Sequence, residues 1–309
     1  MYKKFFGLRE NPFNVNPDPR FLYRTKHTQE ALAGLIYGVQ NRKGFITLTG
    51  EVGTGKTTLI HALLEKLRQQ NQSTAFIFNS RLDVPEFLDF MMADFGIACD
   101  SKPKSQVLLR LNEWLLERFA AGDTPTLIVD EAQNLSPQVL EEIRLLTNLE
   151  TSTEKLLQIV LSGQPEMEHK LNQPQLRQLR QRITLRCRTH PVTLEETHGY
   201  IHERLHIAGA CDDPIFASEA IGSVHRYARG IPRVINLICE HALISSYVDQ
   251  QRPIQPETID DVAREFELHR VDPTLAAPAE KGAGDGENVR LLEALQNLST
   301  LVDRLRRTD

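Results

Sequence analysis

The chain has 309 residues, 40% hydrophobic and 25% charged, an ordinary globular composition that excludes disorder along most of its length and leaves room for about two domains. Lys plus Arg is 36 against Asp plus Glu at 41, a formal net charge of -5, which excludes a whole-chain electrostatic footprint for nucleic acid but not a local basic patch. Cys99, Cys187, Cys211 and Cys239 form no C-x-x-C pair, so neither a disulfide framework nor a zinc site is indicated, and no stretch approaches the roughly 18 consecutive apolar residues of a membrane span. The opening MYKKFFGLRENPF has Arg9 and Glu10 where a signal peptide needs a continuous apolar run. The expectation is a soluble cytoplasmic protein with free thiols that meets a membrane only through a partner.

Residues 1–26 are dense in Pro, Asn and aromatics, and Pro12, Pro17 and Pro19 argue for an extended arm rather than a regular helix. From His27 to about Asn41, Leu32, Leu35, Ile36 and Val39 recur at helical spacing. FITLTG is a strand running into a turn, LIHALLEKLRQQ an amphipathic helix and TAFIFN a second strand. EFLDFMMADFG and VLLRLNEWLLERFAAG are helices, the latter stopped at Gly122. TLIVD and LLQIVLSG are strand-length apolar runs separated by a helical stretch from Val139 to Leu149, and ITLRCRTHPV is a last strand. Strands alternating with helices predict an α/β fold, a parallel sheet covered on both faces, over 27–190. Past Pro191 four helical segments follow without a strand, an all-helical second domain over 191–270. Residues 271–287 have linker composition. Over 288–309, Leu291, Leu295, Leu298, Val302 and Leu305 make a short heptad seam, suited to docking on its own protein or on a partner.

Gly50-Glu51-Val52-Gly53-Thr54-Gly55-Lys56-Thr57 matches G-x-x-x-x-G-K-[ST] at every fixed position, between a predicted strand and a predicted helix that carries on through Thr58. Glycines let backbone N–H groups close around phosphate oxygens, and the helix N-terminus adds a field that favours anions. Lys56 would neutralise the β and γ phosphates and Thr57 would hold Mg²⁺. The strand LIVD ends in Asp130 and Glu131; Asp130 would join the Mg²⁺ shell and Glu131 would polarise the attacking water, which separates a nucleoside-triphosphate hydrolase from a kinase or a binding module. At the ends of the other strands, Ser162 or Gln164 can meet the γ-phosphate or the water, and Asn79 can restrain Glu131. Arg177, Arg180 and Arg182, with Arg186 and Arg188 after them, are nearly unbalanced by acids and include a candidate arginine finger for a neighbouring subunit. Gly230-Ile231-Pro232-Arg233 opens a helix of the second domain and puts Arg233 where it can fold back on the phosphates.

GEVGTGKTT, LIVDEAQNL, the arginine cluster and GIPR, in this order, resemble the AAA+ ATPases. FFGLRENPFNVNPDPRFLY, HTQEALAGLIYGV, DEAQNL and SGQPEM are similar to a narrower branch, the general secretion pathway protein A type ATPases and their exosortase-associated relatives, and the resemblance runs over about residues 1–268. It implies a P-loop AAA+ core with a helical lid, ATP and Mg²⁺ as ligands, and a homo-oligomeric ring formed or stabilised by ATP. It further implies Gln164 or Ser162 as first sensor, Arg182 or Arg180 as finger, Arg233 as second sensor and Asn79 as glutamate switch. The first sensor lacks the Asn or Thr common in AAA+ proteins. Branch members often continue into a membrane span and a peptidoglycan-binding domain, and neither is in this sequence. The expected role is ATP-driven assembly or remodelling of a secretion, surface-polysaccharide or cell-envelope system, with the C-terminal helix on an envelope partner and a peripheral place at the inner membrane through it. The alternative is a DNA-associated AAA+ ATPase acting in transposition or replication, against which the acidic balance weighs.

Overall fold

The computed structural model describes residues 1–78, 81–98, 103–211 and 214–268. Asn79, Cys99, the expected linker 271–287 and the heptad helix 288–309 lie outside the described residues. The elements in order are α1 (Tyr2–Phe6), α2 (Lys26–Gln40), β1 (Phe45–Thr49), α3 (Lys56–Gln69), β2 (Thr74–Ile77), α4 (Val84–Asp94), α5 (Lys104–Ala120), β3 (Thr126–Val129), α6 (Pro137–Leu146), β4 (Gln158–Gly163), α7 (Pro165–Leu171), α8 (Arg177–Arg180) and β5 (Leu185–Arg188). Four helices complete them: α9 (Leu194–Ile207), α10 (Ser218–Ala228), α11 (Pro232–Val248) and α12 (Pro256–Glu265).

All five strands are parallel, in the order β2-β3-β4-β1-β5. The three inner strands are buried at every residue, which is why they read as continuous apolar runs, while the edge strands β2 and β5 are only partly covered. Alternation along the strands divides the core. Phe45, Leu127, Val129, Ile159 and Leu161 face α4, α5 and α6, whereas Ile46, Leu48, Ile128 and Val160 face α2 and α3. Within α3, Leu59, Leu63 and Leu67 form the stripe that seats it on the sheet. The register pairs Thr49 with Gly163 and Val129 with Leu161, so the carboxyl ends of β1, β3 and β4 lie side by side. This is the edge where open α/β sheets hold their ligands.

Two sequence expectations shift in detail, and the arginine run gains a finer description. The helix expected over Val139–Leu149 starts at Pro137, because Ser136 accepts from the Val139 N–H at 3.2 Å and Pro137 suits the first turn, and it ends at Leu146. The arginine run spans three local structures. α8 stops at Arg180, the chain turns through Arg182, and Arg186 and Arg188 lie on the edge strand β5. In residues 1–26 a one-turn helix, Tyr2–Phe6, precedes the prolines and stops at Gly7, in the left-handed region at φ 72°.

The N-terminal arm packs on the second helical unit. Phe6, Leu8 and Phe13 are buried in the same cluster as Ile201, Val224, Ile235, Ile238 and Ile259 of α9–α12. Phe13 meets Phe216 edge-on at 6.2 Å, Arg9 N–H donates to Ala208 O at 2.7 Å, and Tyr2 and Asn11 both donate to the Glu240 carboxylate at 3.0 Å. No helix among the described residues is long and apolar enough to cross a membrane.

Two measurements test this helical unit. Phe13→Ala should cost about 3–5 kcal/mol in a urea titration, the usual range for deleting a buried ring. His241 lies in α11 against Phe266 at 4.4 Å, and burial pushes its pKa from 6.5 down to about 4. The unfolded chain therefore takes up a proton that the folded chain refuses. The contribution is fully present above pH 6.5 and is lost as pH falls towards 4. His241→Phe should flatten the stability profile across that window.

Candidate functional site

The site is assembled at the carboxyl edge of the sheet. Between β1 and α3 the chain turns through residues 50–55, and Gly53 and Gly55 have φ of 80° and 95°, values that side chains resist. Closeness adds a second reason for glycine: a Cβ on Gly53 would lie 2.8 Å from Arg233 Cβ and 3.0 Å from Ile231 Cγ2. Arg233 N–H donates to Gly53 O at 3.2 Å. The start of α11 is thus seated directly on the loop. At the start of α3 the N–H groups without intrahelical partners and the helix field favour an anion, so the loop fits a polyphosphate.

Lys56 is buried, and its ammonium donates to Gly50 O at 2.8 Å and Glu51 O at 3.0 Å. Burial pushes its pKa down, opposed by the carboxylates of Glu131, Asp130, Glu51 and Glu166. Thr57 Oγ1 donates to Asp130 Oδ2 at 2.9 Å, and Ser162 Oγ donates to Asp130 Oδ1 at 2.7 Å. A hydroxyl and a carboxylate side by side below a phosphate-binding loop are hard oxygen donors of the kind that suit a small divalent cation.

Glu131 follows at the strand tip in the left-handed region, φ 51°, ψ 36°, an uncommon conformation for a glutamate. Gln133 Nε2 donates to Glu131 Oε2 at 2.5 Å, and Gln164 Nε2 reaches the same oxygen at 3.3 Å. Gln133 Oε1 in turn accepts from the Gln164 N–H at 3.1 Å. Lys170 fastens the turn by donating to Gln133 O and Leu135 O at 2.8 and 2.5 Å. The first-sensor alternatives therefore separate in space: Ser162 bonds the Asp130 carboxylate and Gln164 the Glu131 carboxylate.

Over the loop lies a cavity of about 300 Å³, and Val52 to Leu59, Glu131 and Arg233 line it. The rest of its lining comes from the arm between Asn14 and Tyr23 and from His190, Tyr200, Arg204 and Asn236. Gly50 forms the base of the loop, where a Cβ would collide with Thr189 Oγ1. Arg180 and Arg182 are not among the lining residues; Arg180 donates to Asn172 Oδ1 at 2.8 Å. Arg188 pairs with Glu168 at 3.0 Å, and Glu168 also accepts from Thr49 Oγ1 at 2.8 Å. Reading the sequence missed Gln133 and the lining from the arm and the helical unit. Gln133 carried a local signal, two residues past Glu131 at a strand tip. Tyr200, Arg204 and Asn236 carried none, since only the packing of the arm on α9 and α11 brings them to the cavity.

Gly53→Ala should strain the loop and push it off Arg233. The expected result is loss of nucleotide binding in a fluorescent-nucleotide titration, with the chain still folded by circular dichroism.

Residues 39–171 match the AAA domain family. The chain is 47% identical over 248 residues to General secretion pathway protein A of Aeromonas hydrophila, covering 80% of this chain and 45% of that protein. It thus spans less than half the length of that relative. In fold it is similar to the Cdc6p crystal structure from Pyrobaculum aerophilum, with a TM-score of 0.65 at 18% identity over 86% of this chain and 75% of that one. Drosophila ORC bound to DNA is similar too, with a TM-score of 0.61 at 17% identity over 86% of this chain and 68% of that one. With its phosphate loop and parallel sheet, the chain carries an AAA-type P-loop ATPase domain over residues 39–171 and is similar to general secretion pathway protein A.

Proposed function

We propose that this ATPase hydrolyses ATP with Mg²⁺ and uses the cycle to assemble or remodel a secretion or cell-envelope system. The observation that carries the hydrolytic part is the arrangement at the sheet edge: Thr57 on Asp130, and Glu131 beside them with its carboxylate held by two glutamines. The identity with general secretion pathway protein A supports the setting.

In this reading Gly50 to Thr58 cradle the phosphates, and Lys56 leaves the loop carbonyls to pair with them. Thr57 and Asp130 would hold Mg²⁺, which supplies charge neutralisation to the phosphate oxygens when bound. Glu131 orients the attacking water and accepts its proton. Gln133 and Gln164 fix the direction of that carboxylate, with Gln164 in the first-sensor place, and Asn79 keeps its expected role as a further restraint. Arg233 carries the state of the phosphates into α11. Arg182 or Arg180 acts as finger in the site of a neighbouring copy in a ring, consistent with their lying away from their own cavity. The helix over 288–309 docks an envelope partner, which holds the protein peripherally at the membrane. A second reading, DNA-dependent activity, rests on the exposed Arg177, Arg180 and Arg186.

Glu131→Gln should keep ATP affinity and abolish turnover, while Arg182→Ala mixed with it should restore some activity through hybrid interfaces; absence of recovery at every ratio in assembled mixtures would remove the finger from Arg182. The deciding measurement is ATPase rate against protein concentration, with and without DNA. A cooperative rise that ignores DNA supports the secretion reading, whereas stimulation by DNA that fades with salt supports the second.

A further inference from the structure

Besides the phosphate loop, the cavity lining includes Tyr200, Arg204 and Asn236 of the helical unit. Arg204 is buried there, 7% exposed, yet makes no ion pair among the described residues. Its guanidinium donates to Pro12 O at 2.6 Å, to Asn14 O at 3.4 Å and to Tyr200 Oη at 3.1 Å. It also stacks on Phe21 at 4.6 Å. Arginine has donors only, so the tyrosine oxygen accepts at that contact and its proton is left for another acceptor. That acceptor is Asn236 Oδ1, at 2.8 Å. Burial of Tyr200 raises its pKa and keeps the proton in place.

This relay fixes the carboxamide of Asn236. Its oxygen is taken by Tyr200, and among the described residues its nitrogen has no hydrogen-bond partner in the protein. Asn236 is 8% exposed and lines the cavity, one helical turn beyond Arg233. A nearly buried donor, oriented through Tyr200 and Arg204, therefore lies in the lining of the cavity that the phosphate loop also lines. The same cavity lining includes the apolar residues Val15, Phe21 and Leu59, which suit the faces of a flat ring rather than a phosphate. Such a donor binds a ligand that brings an acceptor and penalises one that does not.

We propose that Asn236 is a base-reading residue of this ATPase, whose Nδ2 donates to a ring nitrogen of adenine. Tyr200 and Arg204 act as positioning residues behind it, and the backbone carbonyls of Pro12 and Asn14 anchor the relay to the arm. The inference rests on the reading of this cavity as an ATP site and adds to it the residue that recognises the base. Because the arm, α9 and α11 all contribute to the relay, base recognition and the seating of α11 on the loop are mechanically joined.

The test compares affinities of the full chain for ATP, for inorganic tripolyphosphate and for deaza analogues of ATP in which one ring nitrogen is replaced by C–H. Asn236→Leu should weaken ATP binding roughly five- to tenfold, the scale of one buried hydrogen bond, and leave tripolyphosphate affinity unchanged. One deaza analogue should bind the wild type with the same loss and lose nothing further on Asn236→Leu. Tyr200→Phe, which keeps shape but removes the orienting proton, should weaken ATP by a smaller factor and spare tripolyphosphate. Equal losses on both ligands, or wild-type affinity for every deaza analogue, would overturn the proposal. A loss that follows removal of a ribose hydroxyl instead would move the contact to the sugar and overturn it too. If Asn236→Leu fails to fold, the deaza series on the wild type decides alone. Should the wild type bind neither ATP nor tripolyphosphate, the ATP-site reading itself fails, a result distinct from failure of the base contact.

Discussion

The hydrogen bond from Thr57 to Asp130 joins residues separated by 73 positions in the chain, and the rest of the site depends on it being possible. It requires the carboxyl ends of β1 and β3 to face the same edge, with β4 between them. A parallel sheet with β1 near its centre meets that requirement. Once those ends converge, Ser162 on β4 falls within reach of Asp130, and the chain leaving β4 brings Gln164 to Glu131. An antiparallel arrangement in the same order would turn β4 round and carry Ser162 and Gln164 to the opposite edge, away from Asp130 and Glu131.

The same edge explains why so many glycines and hydrogen-bonded polar groups collect there. Gly53 gives up a side chain both to turn left-handed and to admit Arg233 and Ile231, so one residue serves phosphate geometry and contact with the helical unit together. Strain at Glu131 follows the same logic. A non-glycine residue at positive φ persists only where the surroundings hold it, and here Gln133, Gln164 and the Lys170 contacts do so. The loop, the carboxylate and α11 are thereby three connected parts of one edge rather than independent features.

The arm gives that edge its cover. Its prolines keep it out of regular structure, and its aromatic residues pay for the resulting lack of internal hydrogen bonds by burying in the helical unit. Arg204 completes the seam by taking arm carbonyls that would otherwise be orphaned in a buried place. A buried arginine with no ion pair among the described residues is an uncommon tenant of such a position; its value lies in the number and fixed directions of its donors.

Several parts of this protein were legible in the sequence because their signals are local. The phosphate loop has a fixed spacing between two recognisable elements, the acids close an apolar strand, and a parallel sheet follows from alternating strands and helices of suitable length. Burial on both faces makes inner strands read as unbroken apolar runs, so even the approximate strand bounds were visible. Only the tertiary structure decided which face of the arm is buried, that Ser162 serves Asp130 while Gln164 serves Glu131, that the arginines divide between a helix end, a turn and an edge strand, and that Tyr200, Arg204 and Asn236 share a wall with the phosphate loop. The reason is physical. Local pattern specifies periodicity and backbone preference, whereas these contacts join segments far apart in the chain, as Arg204 and Pro12 at 192 positions and Tyr2 and Glu240 at 238 are, and their distances exist only after the sheet and the helical unit have packed.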